Sequence, residues 1–131
     1  MAHAGRVLHR HDVDVWVSGY ERAWRTSGTE LLAGLFTDDV HYRPSPWREP
    51  SVGLAALSRA WAEGRDGPGE EFTMTYEVVA VDGWLAVVRV AVTYRLPLRR
   101  WRDLWVLRFT GDGRVAAFEE WPFAPDQPDG H

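Results

Sequence analysis

WRDLWVLRFTGDGRVAAFEEW, residues 101–121, alternates along two arms that meet at Gly111, Asp112 and Gly113, and the spacing predicts a β-hairpin. On the first arm Trp101, Asp103, Trp105, Leu107 and Phe109 share one face, opposite Arg102, Leu104, Val106 and Arg108. On the returning arm Ala116, Phe118, Glu120 and Pro122 share a face, opposite Val115, Ala117, Glu119 and Trp121. A loop running from Thr110 to Gly113 would set Asp103 directly across from Glu120. A one-residue bulge at Gly113 would bring Glu119 there instead. Two carboxyl groups among Trp and Phe cannot both ionise cheaply, so one is expected to hold a proton at neutral pH. Such a pair is acid/base equipment, and the large aromatic residues beside it argue for a cavity rather than a solvated face.

Upstream of the hairpin the pattern stays β. Phe72 to Val81 alternates, Asp82-Gly83 is a strong turn signal, and Trp84 to Arg95 alternates again. In the second of these strands Trp84, Ala86, Val88, Val90, Val92 and Tyr94 form a purely apolar or aromatic face that should line the interior. The opposite face carries Leu85, Val87, Arg89, Ala91, Thr93 and Arg95 and should look outward. Leu96 to Arg100, with Pro97, reads as the connection into the hairpin, and Gly64 to Glu71 as a loop.

The first half of the chain reads as helical. Val13, Trp16, Val17, Tyr20 and Trp24 have the spacing of one helix face, with Asp12 as the expected N-cap and Ser27-Gly28 at the end. A second short helix is expected from Thr29 to Phe36, stopping before Asp38-Asp39. Val40 to Arg43 reads as a short strand, with His41 on its outward parity, and Pro44, Pro46 and Pro50 stiffen a loop that presents Trp47. A third helix is expected over about Leu54–Glu63, where Trp61 reads as a core residue. Helices first and antiparallel strands after them imply an α+β domain whose curved sheet wraps an apolar face around three helices.

Composition narrows the chemistry. A chain of 131 residues suits a single domain, 1–131, with loose ends expected at 1–11 and 124–131. The sequence has no Cys, Lys or Asn, which removes thiol nucleophiles, disulfides, cysteine metal sites and Schiff-base lysines. His3, His9 and His11 lie on an arm expected to be loose, so a solvated terminus rather than a metal site is expected there. A formal net charge of −4 argues against a nucleic-acid partner despite Arg95, Arg99, Arg100 and Arg102. No apolar run has the length of a membrane helix, and MAHAGRVLHRHD lacks the apolar core of a secretory signal, so the expected location is cytoplasmic.

This element order, with Tyr20, LFTDDVHY at 35–42, Pro46-Trp47 and RDLWVLRFTGDGRVAAFEEW at 102–121, resembles the SnoaL-like branch of the nuclear transport factor 2-like (NTF2-like) superfamily. The resemblance implies a cone-shaped fold, three N-terminal helices packed in a curved, mostly antiparallel sheet. That fold hosts isomerases, dehydratases, epoxide hydrolases, polyketide cyclases and non-catalytic binders. Tyr20 matches the oxyanion-binding Tyr of the ketosteroid isomerase pattern, whereas Pro44 stands where that pattern has its general-base Asp and Trp105 where it has a protonated Asp. The same comparison puts Trp105 and Glu120 on cavity-facing positions.

The combined expectation is a cofactor-independent enzyme that cyclises, isomerises, dehydrates or opens an epoxide on a small, largely apolar substrate. Asp103 and Glu120 would be acid and base, and Tyr20 an oxyanion donor. Trp24, Tyr42, Trp47, Val90, Tyr94, Trp101, Trp105 and Phe118 would contact the substrate. The alternative is a carrier that holds a hydrophobic ligand unchanged. Val87, Ala91, Leu104 and Val106 on the outer sheet face are expected to build a homodimer.

Overall fold

The apolar stripe from Val13 to Trp24 forms helix α1 (Arg10–Arg25), which buries Val13, Trp16, Val17 and Ala23 against a sheet. The structure is a computed structural model that describes residues 7–64, 71–95 and 97–127. After α1 come a short 3₁₀ turn (Glu30–Gly34), strand β1 (Phe36–Arg43), strand β2 (Ser51–Val52) and helix α2 (Leu54–Gly64). Four long strands complete the chain: β3 (Phe72–Asp82), β4 (Leu85–Arg95), β5 (Leu98–Phe109) and β6 (Val115–Phe123). The six strands form one sheet in the order β2-β1-β6-β5-β4-β3, antiparallel except where β1 runs parallel to β6. Register shifts in β1, β3 and the β5–β6 pair interrupt the ladders, and such bulges bend strands, here curling an open sheet around the helices.

Several local expectations are corrected. Helix α1 begins before Asp12: His9 takes the N-cap position, and its backbone N–H donates to the Asp12 carboxylate at 2.9 Å. An acidic residue one turn in can reach back to the cap as readily as occupy it, so both starts fit the same Asp. Consequently the arm expected to be loose is anchored from Leu8, which is only 6% exposed and joins the core. Residues 1–6 and 128–131 of the expected loose ends, most of the Gly64–Glu71 loop and Leu96 lie outside the described residues.

The second helix shrinks to one 3₁₀ turn, and Phe36 to Asp39 belong to β1 instead. Tertiary pairing overrides local propensity there. The Leu35 carbonyl accepts both the Val115 backbone N–H at 2.8 Å and the Trp16 indole N–H at 2.9 Å, which ties α1, the 3₁₀ turn and β6 at one point. β2 is too short to show any periodicity, and pairs His41 with Val52.

The decisive hairpin forms, with a different register. The loop runs from Thr110 to Arg114, so Phe109 pairs with Val115, and a bulge at Ala116 then sets Arg108 across from Ala117. Glu120 therefore faces Trp105, while Asp103 faces Pro122. The longer loop and the bulge each move the register by one residue, and the two shifts together restore the face. Glu120 stays inside, whereas Val115, assigned outward by strict alternation, is fully buried. Glu119 points outward and accepts the Trp121 indole N–H at 2.6 Å.

Candidate active site

One end of the space between sheet and helices is filled, and the other is hollow. Trp16 fills the packed end with edge-on contacts to Phe36, Phe109 and Phe118 at 5.6, 6.0 and 6.0 Å. Beyond Tyr20 the interior opens into a cavity of about 340 Å³. Tyr20 and Trp24 from α1 and Leu57 and Trp61 from α2 make its helix wall. Its sheet wall comes from the inner faces of β1, β3, β4, β5 and β6 and includes Tyr42, Tyr94, Trp101, Trp105 and Phe118.

Asp103 and Glu120 both line this cavity. On adjacent strands, offset by one same-face step, they are diagonal neighbours rather than directly opposed. Tyr42 donates its hydroxyl to Glu120 Oε1 at 2.6 Å, and the Trp105 indole N–H donates to Asp103 Oδ2 at 3.3 Å. Burial pushes the Glu120 carboxyl up to about 8, against the Tyr42 hydrogen bond, and the neighbouring Asp103 charge pushes in the same direction as burial. Burial also raises Asp103, but hydrogen bonds from Trp105 and Glu120 favour its ionised form. At neutral pH Glu120 thus holds the proton and Asp103 is the acceptor, because one shared proton costs less than two enclosed charges. Burial raises Tyr20 and Tyr42 well above the ordinary phenol value, so both remain O–H donors.

Tyr20 is held by rings: Trp105 at 4.8 Å, Trp61 at 5.1 Å and Phe118 at 5.7 Å. Its hydroxyl makes no hydrogen bond among the described residues, which leaves a donor for a guest.

Of the residues expected to contact substrate, Trp24, Tyr42, Tyr94, Trp101, Trp105 and Phe118 line the cavity. Two do not. Trp47 is 97% exposed, because the stiff proline loop carries it outward at a turn between β1 and β2. Val90 faces inward but is 1% exposed and packed in the core, its short side chain covered by its neighbours. Among the cavity residues outside the expected site, Trp61 and Arg99 carry polar groups. Trp61 looked like core and is part of the wall. Arg99 was assigned to a connection, but β5 starts at Leu98, so Arg99 shares the inner face with Trp101 and Asp103. Its guanidinium lies 4.6 Å over the Tyr94 ring. Extending the alternation of the hairpin two residues upstream would have found it. Among the described residues no three His, Asp or Glu side chains gather in a way that could hold a metal ion.

This geometry belongs with a sequence match to the SnoaL-like domain family that spans residues 17–118. The chain belongs to the SnoaL-like domain family. A search of curated proteins finds no match. Among solved structures, a protein of Kribbella flavida provisionally assigned as a ketosteroid isomerase superposes with TM-score 0.66 at 22% identity, covering 92% of this chain and 84% of that one. A provisionally assigned polyketide cyclase of Sinorhizobium meliloti gives TM-score 0.65 at 23% identity, over 83% of this chain and 97% of that chain. The epoxide hydrolase/cyclase-like enzyme SalBIII, described with a role in pyran ring formation in salinomycin, gives TM-score 0.70 at 14% identity, over 84% and 89%. At these identities the shared property is the fold: SnoaL-like helices set in a curved, open sheet.

Proposed function

We propose that this SnoaL-like protein is a cofactor-independent enzyme that moves a proton on a small, largely apolar molecule held in the aromatic cavity. The observation that carries this reading is the carboxyl pair lining that cavity, with burial raising both groups and Glu120 pushed up to about 8. Asp103 is the base, Glu120 the acid, and Tyr20 donates to oxygen on which negative charge develops. Tyr42 positions Glu120 through their hydrogen bond. Cyclisation, isomerisation, dehydration and epoxide opening all need such a base and acid together.

Mass spectrometry of the small molecule retained through purification identifies the guest, and incubating that molecule with fresh protein tests the chemistry. Turnover with a pH-dependent rate supports the enzyme. Tight binding of an unchanged molecule supports the carrier reading, which gains weight from Pro44 and Trp105 standing where the ketosteroid isomerase pattern needs acids.

We propose further that two copies pair through the outer sheet face. Leu104, Val106, Val87 and Ala91 are half-buried there, and Trp121 and Phe123 on the same face are 38% and 48% exposed. A monomeric mass by sedimentation would remove the homodimer.

A further inference from the structure

The outermost strand of a sheet presents a row of backbone N–H and C=O groups with which another strand can pair. The two edges of this sheet differ. β2 is two residues long and offers little to pair with, whereas β3 is eleven residues long. Arg10, Asp14, Glu21 and Arg25 recur at spacings of four, seven and four residues, which sets them on one side of α1. That polar stripe runs along β3 in the opposite direction. Arg10 donates to the Val78 carbonyl at 2.5 Å, Asp14 accepts the Tyr76 hydroxyl at 2.9 Å, and Arg25 donates to the Phe72 carbonyl at 3.0 Å. Glu21 holds Arg25 through an ion pair at 2.9 Å, and the Arg25 guanidinium lies 3.9 Å over the Phe72 ring.

Phe72 and Val78 are an even number of residues apart in an unbroken stretch of the β3–β4 ladder, so their backbone groups point the same way. With both carbonyls bonded to the helix, that direction is away from β4, and the backbone groups of Met74 and Tyr76 share it. The helix therefore caps both ends of the outward row and ties its middle. None of the four helix residues lines the cavity, so the cavity does not explain them. Exposed polar contacts of this kind also add little to stability.

We propose that this stripe of α1 is an autoinhibitory cover, and that the surface it closes is the β3 edge, which would otherwise pair antiparallel with β3 of a second copy. Each outward residue of the edge carries one donor and one acceptor, so the stretch from Phe72 to Val78 is complementary to its own two-fold image. Nor does the edge repel a copy of itself. Its one charged residue there is Glu77, which is already paired with Arg89 on β4. The obstacle to pairing comes from the helix.

The test compares sedimentation of wild type and Arg10→Ala/Arg25→Ala over one range of concentration. The wild-type mass is the baseline, so pairing through the outer sheet face counts in both. Alanine favours the helix, and circular dichroism checks that it is kept. The double variant is expected to associate about tenfold more tightly than wild type and to reach about twice its mass. Adding Tyr76→Pro should return the baseline, because Pro removes an outward N–H and leaves the bonds to β4 in place. A double variant that keeps the wild-type mass overturns the proposal, as does association that survives Tyr76→Pro. Should either multiple variant fail to fold, Arg10→Ala and Arg25→Ala are measured singly by amide hydrogen exchange. The Met74 and Tyr76 N–H groups should then gain protection as concentration rises, and no gain in either protein overturns the proposal.

Discussion

Trp16 and Trp61 are both buried, 3% and 6% exposed, and both pack on Tyr20, at 5.3 and 5.1 Å, yet their indole N–H groups end differently. Trp16 donates to the Leu35 carbonyl in the packed end of the molecule; Trp61 donates to no described residue and borders the hollow end. The chain satisfies its polar groups where it only has to be stable. Where the interior is hollow it leaves a donor, an acceptor and a proton-sharing acid pair enclosed. Burial of the same residue type thus comes with a satisfied indole N–H at one end and an unmatched one at the other, and Tyr20 is the boundary between them.

The largest effect that could break this division is on turnover. With the molecule that co-purifies as substrate, Asp103→Asn or Glu120→Gln is expected to lower the rate by about two to four orders of magnitude, with an unchanged circular dichroism spectrum. Glu119→Gln, one residue away on the outer face, should leave the rate within about twofold on the same principle. Equal rates in all three proteins would remove the acid/base assignment.

At the packed end the readout is stability instead. Trp16→Ala removes a large side chain at 3% exposure and is expected to cost about 3–5 kcal/mol in urea unfolding. A loss below about 1 kcal/mol would mean that this end is not close-packed.

A pH profile separates the ends without a substrate. Glu120 titrates near 8 when folded and near 4.5 when unfolded, so the folded state binds the extra proton between those values. Its contribution to stability is fully present below the unfolded value and is lost as pH rises through the folded one. The slope approaches about 1.4 kcal/mol per pH unit at most. Glu120→Gln should flatten this window. Asp103→Asn should lower the Glu120 value by removing a neighbouring charge, and Tyr42→Phe should raise it by removing a hydrogen bond to the carboxylate. Shifts of the opposite sign in carboxyl NMR titrations would refute the coupling.

The smallest contrast is the sharpest. Trp16→Phe loses a satisfied buried hydrogen bond and should cost about 1 kcal/mol more than Trp61→Phe, which deletes a donor that has no protein acceptor. Thermal or urea melts of the two variants side by side check the order, and a reversed order would contradict the division.

Helix α1, the alternation of β4 and the inward faces of Trp105, Phe118 and Glu120 were legible because each follows a local period that one buried face enforces. The β1 extension over Phe36–Asp39 was not, since its pairing with β6 comes from the far end of the chain. Trp47 and Val90 were misplaced for a related reason. Parity and residue type say which way a side chain faces, not whether a loop swings it into solvent or its neighbours cover it. Arg99 was hidden by a strand start three residues later than the real one, and Trp61 by the habit of counting a buried tryptophan as filler.

The sequence alone determined the α+β order, the aromatic character of the interior and the presence of two acids on the inner hairpin face, since all three follow from side-chain periodicity. Only the tertiary structure decided that Glu120 keeps its inward face through a longer loop and a bulge, that it sits diagonal to Asp103, and that burial raises its carboxyl. Those outcomes depend on a five-residue loop, a bulge at Ala116 and the burial of Glu120 among segments from distant parts of the chain. Distances of that kind arise from packing between segments remote in the chain, which no local pattern encodes.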